Sequence, residues 1–234
     1  MKMLNYGSLN YDYVYSVDHI VQPGETISSA DMETFCGGKG LNQSIALAKA
    51  GVEVFHAGMV GEDGEMLLNL CKENGIDSRF ITRSDGKSGH TVIQVDEQGQ
   101  NSIILCAGSN GRNTVDHIDK VLSYFEKGDM ILLQNEINLL DEIIEKAFEK
   151  GITVVLNPSP YNTAVEQCDL NKVSIFLMNE VEGYQITGEK DPKNIIVCMK
   201  EIYPDAEVVL TLGKKGVIYS GKGNVYFQES YKVE

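Results

Sequence analysis

Basic residues are in short supply. The 234-residue chain carries 20 Lys and Arg against 34 Asp and Glu, a formal net charge of −14 at pH 7. That balance argues against a nucleic-acid or anionic-membrane surface, since each needs a basic face, although a local basic pocket stays open to it. Long apolar runs are missing too: none approaches the ~20 residues of a membrane-spanning helix. The N-terminal MKMLNYGSLNYDY lacks the apolar core of a signal peptide. Cysteine is sparse and scattered: Cys36, Cys71, Cys106, Cys168 and Cys198 form no C-x-x-C pair, which suits reduced thiols and a cytoplasmic location. Cys71 and Cys198 fall in helical apolar patterns and are expected in the core. The four histidines, His19, His56, His90 and His117, have no metal-ligand spacing and read as surface or packing residues. No nucleophilic triad can be assembled from this inventory. The phosphate motifs G-x-x-x-x-G-K-[ST] and G-x-G-x-x-G are both absent.

What is present is an ordinary globular composition, with 42% apolar and 23% charged residues and enough chain for a full core. The most distinctive stretch is FCGGKGLNQSIALAKAG, from Phe35 to Gly51, where a lysine stands among three glycines ahead of an amphipathic helix. Glycines there let the backbone approach a ligand, and the free N–H groups of a helix start point toward it. The loop is built for a ligand, yet neither familiar nucleotide motif describes it.

The later two-thirds alternates strand and helix. MILLQNE (130–136) is a buried strand, LLDEIIEKAFEKG (139–151) a helix with Leu140, Ile143, Ile144, Ala147 and Phe148 on one face, and ITVVLNP the next strand. SIFLMNE follows, Asp191-Pro192 opens a helix through Met199, and AEVVLTLG is a further strand. This rhythm implies an α/β fold with a mostly parallel central sheet covered by helices on both faces, and ligands at the strands' carboxyl ends. Two stretches break it, about 13–36 and 88–108, the second a hairpin turning at Glu97-Gln98-Gly99-Gln100. They are expected to form a small antiparallel sheet, a lid or dimer contact, with an extended edge of the main sheet as the alternative. With no repeat or linker, residues 1–234 are expected to form a single domain.

Several polar residues fall where strands end or loops begin: Asn10 and Asp12 after the first strand, Gly37 to Asn42 before a helix, Glu136, Asn179 and Glu180 at strand ends, and Thr211 and Gly213 ending the last parallel strand. Asp, Asn, Lys and Glu together suit a polyhydroxylated ligand, because each hydroxyl both donates and accepts. Taken singly, any of them is as readily a cap or a solvated strand end.

The segments GSLNYDYVY, PGETISS, CGGKGLNQSIALAKAGVEV, GMVGEDGEMLLNLCKENGID, AGSNGRNT, LLQNE, LNPSP, LMNEVEG and VVLTLGKKGVIYS occur in that order. Together they resemble the ribokinase branch of the PfkB carbohydrate kinase family, essentially from end to end. The resemblance implies phosphoryl transfer from Mg-ATP to a sugar hydroxyl, D-ribose at its 5-position leading, with another sugar such as fructose as an alternative. It implies a β lid that commonly mediates a homodimer. The sugar contacts implied are Asn10, Asp12, Gly38, Lys39, Asn42 and Glu136. The nucleotide contacts implied are Asn179, Thr211, Gly213, Lys214, Lys215 and Gly216, with Glu182 of NEVE linked to metal through water. In this light Lys39 serves hydroxyls rather than phosphates.

One departure stands out. The family's D-T-x-x-A-G-D segment, which carries the general base, is expected beyond Glu234, as are the adenine wall and a K+ loop. The chain as given is therefore expected to bind rather than catalyse. A non-catalytic sugar- or nucleotide-binding module is the alternative from another class.

Overall fold

Apolar runs flanked by turn residues become strands in the computed structural model, which describes residues 1–231. The chain opens with β1 (Met3–Tyr6), β2 (Asn10–Ser16), β3 (Asp31–Gly37), α1 (Lys39–Lys49), β4 (Val54–Val60), α2 (Glu65–Glu73), β5 (Asp77–Arg83), β6 (Gly89–Val95) and β7 (Asn101–Cys106). After a 3-10 turn come α3 (Val115–Leu122), β8 (Met130–Gln134), α4 (Leu140–Glu149), β9 (Thr153–Asn157), α5 (Thr163–Glu166), β10 (Ile175–Asn179) and α6 (Glu180–Thr187). The described chain ends with α7 (Pro192–Ile202), β11 (Glu207–Thr211), β12 (Val217–Gly221) and β13 (Asn224–Gln228). The result is the mixed α/β architecture with a mostly parallel sheet that the alternation implies. Two compact units divide these elements. One holds Met1–Leu4, Thr114–Asn135 and the chain from Leu139 onward; the other holds Asn5–Asn113 and Glu136–Asn138.

In the first unit β8, β9, β10 and β11 run parallel, and β12 and β13 add an antiparallel edge. Successive residues of β8 and β9 are buried, so both faces are covered, and Ile131, Leu133, Val154 and Leu156 have no exposed surface. Each such side chain contributes about 1.5–3 kcal/mol of burial. Helix α4 buries Leu140, Ile143, Ile144 and Ala147, while Phe148 stays half exposed at the rim of that stripe, its ring 5.9 Å from Lys172 Nζ. Helix α7 starts where Asp191 and Pro192 predict it: the Asp191 carboxylate accepts from Lys193 N at 2.9 Å and Asn194 N at 3.3 Å. It continues past Met199 to Ile202.

In the second unit β4 and β5 pair in parallel, with α1 and α2 packed around Leu9, Tyr11, Leu41, Val54, Val60, Leu67, Cys71 and Ile76. Cys71 is core, as expected, and burial pushes its thiol up to about 12; Cys198, in the first unit, is only half-buried. A polar chain runs through this interior. Asn5 Nδ2 donates to the Gly40 carbonyl at 2.6 Å and to Ser44 Oγ at 2.7 Å; Ser44 Oγ lies 2.7 Å from His56 Nδ1, and His56 Nε2 is 3.3 Å from the Gly7 carbonyl. A carbonyl only accepts, so Nε2 carries the proton and Nδ1 accepts from Ser44. Burial pushes the His56 pKa down to about 4.

The two stretches outside the rhythm form a four-stranded sheet, β3-β2-β6-β7. Its outer pairs are antiparallel, but β2 and β6 at its centre run parallel. The β6–β7 turn is closed by Asp96, whose carboxylate accepts from Gln98 N and Gln100 N, both at 2.9 Å. Asn10 and Asp12 follow β1, as expected, and lie within β2 of this sheet. No helix among the described residues is long and apolar enough to cross a membrane.

Candidate functional site

The glycine–lysine loop ends at Gly38, the N-cap of α1, with φ 92°, a backbone conformation that favours glycine. No capping side chain comes from Gly38, so the first N–H groups of α1 find partners elsewhere. Lys39 N donates to Glu136 Oε2 at 2.8 Å, Gly40 N to Ser8 Oγ at 3.2 Å, and Leu41 N to the Ser8 carbonyl at 2.9 Å. Lys39 Nζ also donates to Glu136 Oε1 at 2.8 Å, and Ser8 Oγ to Glu136 Oε2 at 2.5 Å. One carboxylate thus gathers three donors at the positive end of a helix, where negative charge is favoured. The close fit needs a glycine: a Cβ on Gly40 would stand 2.4 Å from Ser8 N.

Asn10 and Asp12 come from the neighbouring strand. In the ladders Asn10 lies between Gly37 of β3 and Gly89 of β6. Its side chain is buried, and its Oδ1 accepts from Asn110 Nδ2 at 2.6 Å. Asp12 Oδ1 accepts from Thr91 Oγ1 at 2.6 Å. Its other oxygen lies so near Gly37 that a Cβ there would come within 2.0 Å. Asn42 is exposed in the first turn of α1. The structure thus links Lys39 and Glu136 directly, sets Gly38 against Ser8, and lays Asn10 and Asp12 along Gly37; it shows no such tie for Asn42.

The second set lies wholly in the first unit. Asn179 ends β10 and caps α6: its Oδ1 accepts from Val181 N at 2.7 Å and Glu182 N at 3.1 Å, while Glu182 Oε2 accepts from Asn179 N at 2.8 Å. The N-x-x-E spacing is a reciprocal capping box. Thr211 pairs with Asn179 in the parallel ladder. Gly213, Lys214 and Lys215 then form a 3-10 turn, closed by Leu212 N donating to the Gly216 carbonyl at 2.8 Å. Gly216 has φ 122°, and a Cβ there would meet the Gln228 carbonyl at 2.0 Å. Both lysines are exposed, and neither has an ion pair among the described residues.

Three polar residues in contact with the first set carry no sequence signal of their own: Ser8, Thr91 and Asn110. Each lies in an extended or turn segment with no periodicity to betray it. Ser8 and Asn110 are recognisable only by being polar inside quoted motifs.

A family model described as pfkB family carbohydrate kinase matches residues 2–234. The chain belongs to that family. Among pfkB relatives, the ribokinase of Haemophilus influenzae is 33% identical over 226 residues, which are 93% of this chain and 74% of that protein. The ribokinase of Bacillus subtilis is 32% identical over 235 residues, covering 97% of this chain and 77% of its own. Among solved structures, the ribokinase of Cryptococcus neoformans var. grubii in complex with ADP matches with a TM-score of 0.84 at 27% identity, covering 100% of this chain and 80% of that one.

A pfkB kinase uses ATP, generally with Mg2+. No group of three His, Cys, Asp or Glu among the described residues could hold a metal ion alone. Magnesium needs no such cage, because it keeps its waters and takes one or two carboxylates plus substrate phosphates. The set fits on those terms, with Glu182 as its carboxylate and the two exposed lysines as its positive charge.

Proposed function

We propose that this chain recognises D-ribose and ATP as a pfkB kinase that transfers the γ-phosphoryl group of ATP to the 5-hydroxyl and yields ribose 5-phosphate. The observation that carries this reading is the Glu136 cluster. The donors at the α1 N-terminus and the Lys39 charge are already answered by the protein's own carboxylate, which leaves little pull on a phosphate. What remains is an array of acceptors on Asp12 and Glu136 and donors on Lys39, Asn10 and Asn42, the mixture a polyol needs.

In this reading Asn179, Thr211, Gly213, Lys214, Lys215 and Gly216 hold ATP, and Glu182 reaches Mg2+ through water. Bound Mg-ATP supplies the phosphoryl group and screens its charge. No general base is assigned among the described residues. We take the chain to work as one sugar-kinase domain in the cytoplasm. A homodimer forms through the lid, supported by Phe35, Ile103 and Leu105, which are 49%, 55% and 46% exposed.

The test is calorimetric titration of residues 1–234 with D-ribose, D-fructose and Mg-ATP, followed by assay of ribose-dependent ADP release. Ribose is expected to bind more tightly than fructose. Tighter fructose binding would move the substrate. ATP binding without any sugar would turn the reading toward a nucleotide-binding module, and ADP release would place the base within the chain.

A further inference from the structure

We propose that Asn110 is a positioning residue that turns the Asn10 amide so that Asn10 donates, and does not accept, toward the bound sugar. The identity of the sugar rests on the ribose reading; the amide orientation does not.

The orientation follows from a backbone group whose role is unambiguous. Leu9 N–H can only donate, and its partner at 3.0 Å is the Asn110 side chain, so that end of the Asn110 amide is Oδ1. The other end is Nδ2, with two hydrogens. It lies 3.4 Å from the Leu9 carbonyl and 2.6 Å from the Asn10 side chain. A donor so close requires an acceptor, so Asn10 turns Oδ1 toward Asn110, and its own Nδ2 hydrogens are left for another partner. Asn110 and Asn10 are 1% and 2% exposed, so water does not compete for the contact. Gly89 clears the space: a Cβ there would stand 2.0 Å from Asn110 Nδ2 and 2.2 Å from Asn10 Oδ1.

The same turn reaches a second member of the sugar set. The Asn110 carbonyl accepts from Asn113 Nδ2 at 2.9 Å and from Asn138 N at 3.4 Å. Asn138 is tied in turn to Asn113: its Oδ1 accepts from Asn113 N at 2.9 Å, and its Nδ2 donates to the Asn113 carbonyl at 2.9 Å. Asn138 stands two residues after Glu136, so this asparagine group braces both Asn10 and the turn that carries Glu136. A ligand oxygen that meets Asn10 must then act as an acceptor.

Four proteins test this: the wild type, N110D, N10A and N10A/N110D. N110D keeps the shape but places an oxygen where Asn110 offers hydrogens. In ligand-free wild type, NMR of the side-chain amides is expected to show the Asn10 amide protons turned away from Asn110. In N110D they should move downfield on bonding the new carboxylate. Affinity for D-ribose should fall about tenfold in N110D, the scale of one reversed hydrogen bond to a buried group. In the N10A background N110D should cost nothing further, which a merely structural role would not produce. Asn10 amide protons facing Asn110 in the wild type would overturn the proposal, as would an equal N110D loss with and without Asn10. The wild-type spectrum decides the orientation even if N110D does not fold. Wild type that shows the expected orientation but binds no ribose overturns the ribose reading alone.

Discussion

Two glycine-rich turns carry the candidate chemistry, and they are built in opposite ways. At Gly38–Gly40 nearly every polar group has a protein partner: Glu136 holds Lys39 and the helix start, Ser8 bridges both, and Asn5 supports the Gly40 carbonyl from below. At Gly213–Gly216 the backbone closes on itself, and Lys214 and Lys215 stand in solvent. The first turn is a pre-organised lattice into which a ligand must fit by matching fixed donors and acceptors. The second offers flexible positive charge that a polyanion can gather. Substitutions in the first should therefore disturb fold and ligand together, and those in the second the ligand alone.

The largest expected effect lies beneath the first turn. His56 stays uncharged in the folded protein down to about 4, whereas the unfolded chain takes up the proton at the ordinary 6.5. Between these values the unfolded chain binds more protons, so stability falls as pH drops from 6.5 to 4, by about 3 kcal/mol in total. Above 6.5 this contribution is constant. Urea unfolding across that range should show the slope, and His56→Gln should flatten it.

Next comes Glu136→Ala, which strands the Lys39 charge and the α1 N–H groups. A cost of about 2–3 kcal/mol is expected in urea unfolding, less than for a fully buried pair because the Lys39 side chain is 38% exposed. Lys39→Met should weaken D-ribose about tenfold by calorimetry, the loss of one charged hydrogen bond, and leave Mg-ATP within about twofold. The reverse order would return the loop to phosphate binding. Smallest is Lys214→Ala or Lys215→Ala, each expected to weaken Mg-ATP about threefold with no change in melting temperature. A loss of stability there would break the contrast between the turns.

Much of the fold was legible in the sequence, because its signals are local. Asp191-Pro192 marks a helix start through cap chemistry, and continuous apolar runs mark strands buried on both faces. The close backbone approach at the loop around Lys39 was legible from its glycines, and Gly40 does lie against the Ser8 backbone. What escaped depends on contacts distant in the chain. Ser8 meets Glu136 across 128 residues, and Asn110 meets Asn10 across 100, and nothing in either neighbourhood predicts the encounter. The parallel pairing of β2 with β6 is hidden in the same way, since each strand reads locally as half of a hairpin. The spacing of Asn179 and Glu182 carries two meanings, and the structure displays the capping box that is one of them.

If the lattice around Lys39 and Glu136, with Asp12 beside it, is a sugar site, the site should fail without Asp12. Calorimetric titration of D-ribose into the wild type and Asp12→Ala tests it most directly. Binding to the wild type is expected, and its loss in a variant that still unfolds cooperatively. Equal ribose affinity in the two proteins would contradict it.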